Sequence, residues 1–272
     1  MADVRYATSP GEMALLAPEE LRARFLVTDL FAAGEVRFTL SQHDRLLIGG
    51  AVPAGDALVL SPPEELRAEN LCDRRELGIV CLEGAGSVTA DGVTHSVRAE
   101  DIVYVGQGTK SVAVAGDAVF YIVSAPAHSP HPTTLIPRDS AEAIRIGDAH
   151  KASERTLRKY VHEDGVRSCE LALGITTLEP GSVWNTMPCH THDRRTEIYL
   201  YFGLEPGERV VHLCGQPART RSIIVADRQA VISPPWSVHT GAGTAPYRFV
   251  WSTAGENLAY NDMDLVPTET LL

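Results

Sequence analysis

Trp184-Asn185-Thr186-Met187-Pro188-Cys189-His190-Thr191-His192-Asp193-Arg194-Arg195-Thr196-Glu197-Ile198-Tyr199-Leu200-Tyr201-Phe202 is the stretch on which the reading of this chain turns. Side chains alternate faces along a β-strand, so His190 and His192 point the same way, about 7 Å apart. Four residues separate His192 from Glu197, enough for the chain to turn and bring a carboxylate back from the start of the next strand. A fourth ligand is expected from His239, at the end of Pro234-Pro235-Trp236-Ser237-Val238-His239. Cys189 precedes His190 and is expected to face away from the ligands.

Outward from this stretch the pattern is β-type. Ser87 to Val97 reads as a hairpin with Asp91-Gly92 as its two-residue turn, and Asp101–Val105 and Ala118–Val123 read as strands. Ala125 to Pro137 carries four prolines and reads as an extended connection, with His128 and His131 solvated on it. Two helices are expected, one over 17–31 behind Pro18 and a short polar one around Ser140 to Ile144, with strands resuming near Cys169. The polar tail Tyr260 to Asp264 is expected to fold back on the body. Gly 22 and Pro 17 in 272 residues suit many short strands, so the class is all-β.

The formal charge of -11 argues against nucleic acid or an anionic membrane as partner. No apolar run approaches the roughly 18 residues of a membrane span, and the first residues lack the apolar core of a signal peptide, so a cytoplasmic protein is expected. Five scattered cysteines without a Cys-x-x-Cys pair read as buried, reduced thiols.

The halves repeat weakly. Asp73-Arg74-Arg75-Glu76-Leu77-Gly78-Ile79-Val80-Cys81-Leu82 parallels Asp193 to Phe202 without gaps. Asn70 and Cys72 then stand where the second copy has His190 and His192, Leu77 stands where it has Glu197, and His239 falls near Ser111 or Val112. Two similar β-barrels are expected, of which only the second binds metal: 1–137 without ligands and 138–272 with them.

Three imidazoles and a carboxylate suit Zn²⁺, Fe²⁺, Mn²⁺, Co²⁺ or Ni²⁺. The motif pair resembles that of the cupin superfamily, with Trp184 and Trp236 where glycines are common. The runs Asn185–Arg195, Gln229–His239 and Gly255-Glu256-Asn257 closely resemble the 5-keto-4-deoxyuronate isomerase family, and further likeness covers nearly the whole chain. The resemblance implies a bicupin of two jelly-roll-type barrels with a few short helices. It implies one Zn²⁺ per subunit on His190, His192, Glu197 and His239, a homohexamer, and conversion of 4-deoxy-L-threo-5-hexosulose uronate into 3-deoxy-D-glycero-2,5-hexodiulosonate in pectin breakdown. The substrate is then a small anionic uronate. Arg194 or Arg195 is a candidate for its carboxylate, with Arg248 a further one. Tyr199, Tyr201, Glu256 and Tyr260 are candidates for proton transfer, while His162 and His212 are expected to be structural or exposed. The competing readings are 5-deoxyglucuronate isomerase of inositol catabolism, an Fe²⁺ cupin dioxygenase and a non-catalytic sugar-binding cupin.

Overall fold

The computed structural model describes residues 1–272, in two compact units. The first comprises Met1–Arg5, Asp29–Glu142 and Tyr160–Leu173. Its nine-stranded sheet is built on Arg75–Ala90, which pairs antiparallel with Val112–Pro126 from Arg75↔Pro126 to Ala90↔Val112. At the expected hairpin, Ala90 faces Val93, and Asp91 and Gly92 both take positive φ (45° and 80°), as a primed two-residue turn requires. Alternation sends Leu77, Ile79 and Cys81 to one face, where they join Leu47, Leu71, Cys72, Val103, Val105, Phe120 and Ile122 in a closed apolar core.

The second unit comprises Tyr6–Thr28, Ala143–Lys159 and Gly174–Leu272. Its main sheet runs in the order Glu142–Ile146, Arg155–Val161, Ala172–Leu178, Arg248–Gly255, Arg195–Phe202, Gln229–Ser233, Leu26–Val27. A three-stranded sheet of Arg219–Val225, Val210–Gln216 and Thr240–Gly243 and the short pair His190–Thr191 with Asp264–Leu265 complete it. Arg195–Phe202 is a central strand with a neighbour on each side, and all of its residues are buried. The pairing of Asp264 with Thr191 is the fold-back expected of the tail.

Three local expectations need correction. The helix expected over 17–31 spans only Pro18–Phe25, burying Leu21 and Phe25. Leu26-Val27 instead joins the sheet edge opposite Val231 and Ala230, where two apolar, β-prone side chains gain more than another helical turn offers. A second, four-residue helix, Pro10–Met13, is capped by Ser9, whose hydroxyl accepts from the Glu12 N–H while the Glu12 carboxylate accepts from the Ser9 N–H. The polar helix expected near 140–144 is a single 3-10 turn, Arg138–Ser140, followed by the edge strand Glu142–Ile146, so strands resume well before Cys169. The compact units are also interleaved along the chain: residues 6–28 pack in the second unit and 160–173 in the first, whereas the sequence suggested consecutive halves divided after residue 137.

Candidate metal centre

Glu197 enters the barrel interior because Arg195–Phe202 alternates: Glu197, Tyr199 and Tyr201 point inward, and Glu197 lies between Ser233 and Thr253 on the flanking strands. His190 is brought alongside by its short strand, whose other face turns Cys189 into an apolar cluster with Val238 and Val266, as expected. His192 stands where the chain turns back, its N–H donating to Pro235 O. His239 follows the Pro234 to Ser237 turn and leads into Thr240–Gly243.

The four ligand atoms lie within 4.8 Å of one another and all four residues are buried. His190 Nε2 is 3.0 Å from His239 Nε2, and Glu197 Oε2 is 2.9 Å from both His192 Nε2 and His239 Nε2. A backbone carbonyl can only accept, so the contacts His192 Nδ1 to Arg195 O (3.0 Å) and His239 Nδ1 to Ser237 O (3.1 Å) place a proton on each Nδ1. In the neutral rings both Nε2 atoms are then acceptors, facing each other's neighbours and a carboxylate. Such a convergence of lone pairs repels itself unless a positive charge sits among them. Metal–nitrogen and metal–oxygen bonds of roughly 2.0–2.2 Å from one ion produce this crowding, and backbone acceptors on the outer nitrogens are the usual support for histidine ligands. The donor set fits a divalent cation.

The electrostatics agree. Burial drives the Glu197 carboxyl up, and only positive charge beside it, at His239 and then at His192, reverses this and holds it well below its ordinary value; with neutral rings that charge falls to a bound cation. Burial, with charge on His239 second, pushes His190 down to about 2, so it stays a neutral ligand.

The other sequence-predicted residues divide clearly. Arg194 is bound through Nε and Nη2 to Asp262 and through Nη2 to Asp264. Arg195 is buried and donates to Ala259 O (2.8 Å) and Asp262 O (3.0 Å). Both tie down the segment after Gly255, which carries Tyr260. Arg248 lies over the Phe202 ring, its guanidinium carbon 4.5 Å from the centroid. The Tyr199 hydroxyl is 3.1 Å from Thr186 Oγ1, and its ring is edge-on to His239 at 5.5 Å. Tyr201 is enclosed, its hydroxyl 2.8 Å from His212 Nδ1 and bonded by Asn185 Nδ2. Tyr260 packs on Trp251 with ring centroids 5.5 Å apart. Burial raises all three phenols, Tyr260 to about 12, so they are held protonated. His128 is exposed and His162 is buried outside the cluster.

His212, expected to be structural or exposed, is structural. It is fully enclosed beside Tyr199 and Tyr201, its Nε2 meets no partner, and burial pushes it down to about 3. Its signal was the inward alternation of Val210, His212 and Cys214. Asn185 was missed: its side-chain oxygen accepts from Thr186 N–H, Thr240 Oγ1 and Gly241 N–H, fixing the loop in front of His190.

A sequence model of the KduI/IolB family matches residues 26–267. Among curated relatives, a 4-deoxy-L-threo-5-hexosulose-uronate ketol-isomerase from Kineococcus radiotolerans is 53% identical, covering 98% of this chain and 99% of that protein. One of the same name from Shouchella clausii is 44% identical, with 99% of each covered. Among solved structures, an IolB-like protein from Salmonella typhimurium superposes with a TM-score of 0.67 at 16% identity, covering 92% of this chain and 91% of the other. The oxalate decarboxylase of Lactobacillus farciminis, a formate complex, gives 0.60 at 11% identity, with 82% of each covered. These likenesses show the fold: an all-β bicupin with few helices.

Proposed function

Because this chain belongs to the KduI/IolB family, we propose that it is a metal-dependent aldose–ketose isomerase converting 4-deoxy-L-threo-5-hexosulose uronate into 3-deoxy-D-glycero-2,5-hexodiulosonate. The observation that carries this reading is the buried convergence of His190, His192, Glu197 and His239 in a chain matched end to end by relatives of that name. Zinc is the proposed ion, one per subunit: three imidazoles and a carboxylate without thiolate suit a catalytic zinc site, and the reaction needs no redox change. When bound, it supplies a Lewis acid for the carbonyl oxygen and adjoining hydroxyl at the aldehyde end of the substrate.

The chain's own residues do the rest. The buried interior excludes water, which strengthens every polar contact made there. Tyr199 and Tyr260, kept protonated by burial, offer neutral O–H donors to charge developing on substrate oxygens. Tyr201 is a positioning residue that shares its hydroxyl with His212 and Asn185. Arg194 and Arg195 hold the segment bearing Tyr260, and Asn185 and Thr186 hold the loop in front of the ligands.

The same reading places the protein in cytoplasmic pectin and uronate breakdown as a homohexamer, and five unpaired cysteines suit a reducing compartment. The 5-deoxyglucuronate substrate is not favoured, since the high-identity relatives carry the hexosulose-uronate name. Incubating the purified protein with each substrate and following product by NMR tests the reading. Conversion of the hexosulose uronate, lost together with bound zinc in His190→Ala and His239→Ala, is expected. Full turnover in either variant contradicts the assignment, and conversion of 5-deoxyglucuronate alone moves it to the other reaction.

A further inference from the structure

A uronate brings a carboxylate that needs a cationic partner, and both arginines beside the metal ligands are already engaged within the chain, Arg195 keeping only an enclosed Nε without a partner. Arg194 is occupied by Asp262 and Asp264, and Arg195 by two carbonyl oxygens. The strand Arg155–Val161 offers a different group. Across the sheet, Tyr199 pairs with Trp251. The Trp251 indole lies over Gly174, where an added Cβ would come within 2.1 Å of Cζ2, so this glycine is what lets the indole lie flat on the interior face. The Tyr260 ring packs against that indole, and Lys159 Nζ stands 5.6 Å from the Tyr260 centroid. Lys159 therefore belongs to the same interior row, and Arg155, four residues earlier on one strand, shares its face.

Arg155 is half-buried, and its hydrogen bond runs from Nη1 to Ser153 O at 2.8 Å, an uncharged acceptor. A guanidinium has five N–H donors, so several are left for a ligand. No carboxylate lies among its partners. Its charge acts on Tyr199, Tyr247 and Tyr260, and Tyr199 in turn lies edge-on to the metal ligand His239. The guanidinium's charge is thus felt at a ring that touches a metal ligand. A charge held partly out of water without a counter-ion has lost solvation that an incoming carboxylate restores.

We propose that Arg155 is the carboxylate-binding residue of this pocket: its guanidinium takes the terminal carboxylate of a uronate whose carbonyl end faces His190, His192, Glu197 and His239, with Lys159 adding positive charge at the Tyr260 edge. The identity of the uronate rests on the isomerase reading; the preference for a carboxylate over a neutral group does not. Such a contact selects acids from neutral sugars of the same size, because a forked donor pair matches the two oxygens of a carboxylate and not a hydroxymethyl group or an ester.

The test compares the hexosulose uronate with its methyl ester, using zinc-loaded full-length wild type, Arg155→Gln and Arg155→Lys. Wild type should favour the acid in kcat/KM by roughly 10- to 100-fold, the scale of a charge-assisted contact. Arg155→Gln should lose that factor on the acid while keeping its rate on the ester, and Arg155→Lys should recover part of it. Unchanged kcat/KM on the acid, or equal losses on acid and ester, overturns the proposal. If wild type converts neither compound, the isomerase reading fails by itself, and quenching of tryptophan fluorescence by D-galacturonate against its methyl ester then decides the subsite. Tighter binding of the acid, abolished in Arg155→Gln, supports it; equal or absent binding of the two refutes it.

Discussion

The strand that begins at Arg75 and the strand Arg195–Phe202 occupy matching places in the two halves, and the difference that bears on the site lies on the inward face. In the first, Leu77, Ile79 and Cys81 point into a core of leucine, valine, isoleucine and phenylalanine. In the second, the same positions carry Glu197, Tyr199 and Tyr201, and the interior holds four side chains that could ligate a metal, with phenols beside them. The frame around them is the same. Arg75 and Arg195 are both buried, and both donate to backbone oxygens: Arg75 reaches Ser124 O and Arg45 O, and Arg195 reaches Ala259 O and Asp262 O. An arginine that plays the same bracing part in a barrel without ligands is explained by the architecture, not by the reaction. The first barrel does keep a buried acid, Glu76, on the opposite face of its strand. There its carboxylate accepts from the Tyr104 hydroxyl and from the backbone N–H groups of Cys169, Glu170 and Leu171. Fully satisfied by neutral donors, it needs no ion.

If the inward side chains separate a packed barrel from a candidate metal centre, exchanging the residue at the Glu197 and Leu77 position should show what each barrel requires. Glu197→Leu gives the second barrel the residue of the first; bound zinc should fall away and turnover should drop at least about 1,000-fold, since a Lewis acid contributes several kcal/mol to such a step. Metal analysis and the NMR assay read both. The reverse exchange, Leu77→Glu, places a carboxylate in an apolar core without imidazoles, and denaturant unfolding should show a loss of about 3–5 kcal/mol. Arg75→Gln and Arg195→Gln should each cost about 2 kcal/mol, the scale of lost hydrogen bonds from a charged donor. Arg195→Gln should leave the preference for acid over ester intact, which distinguishes bracing from substrate contact. The smallest effect is expected of Tyr201→Phe, which removes the bond to His212 and should cost about 1 kcal/mol in thermal or denaturant stability.

The convergence of His190, His192, Glu197 and His239 was legible because their spacing is a geometric statement: two residues apart on a strand, a turn, and a carboxylate at the start of the next strand. The duplicated frame was legible because Asp-Arg-Arg stands at the same place in each half. Arg155 and Lys159 were not. On Arg-Thr-Leu-Arg-Lys-Tyr-Val, strand patterning equates charge with solvent, whereas Arg155 is half-buried and Lys159 stands against the Tyr260 ring. The helix expected near residue 140 failed differently: Glu-Ala-Ile-Arg-Ile has no decisive propensity, and pairing at a sheet edge settles its conformation.

The central claim is that one barrel of the two holds a metal and that this metal site performs an isomerisation. Elemental analysis of the purified, zinc-replete protein alongside Glu197→Leu, with hexosulose-uronate turnover measured on the same samples, tests it most directly. About one zinc per chain and sustained conversion in the wild type, with neither in the variant, is the predicted result. Full turnover in Glu197→Leu, or a wild type that binds no divalent metal, would contradict it.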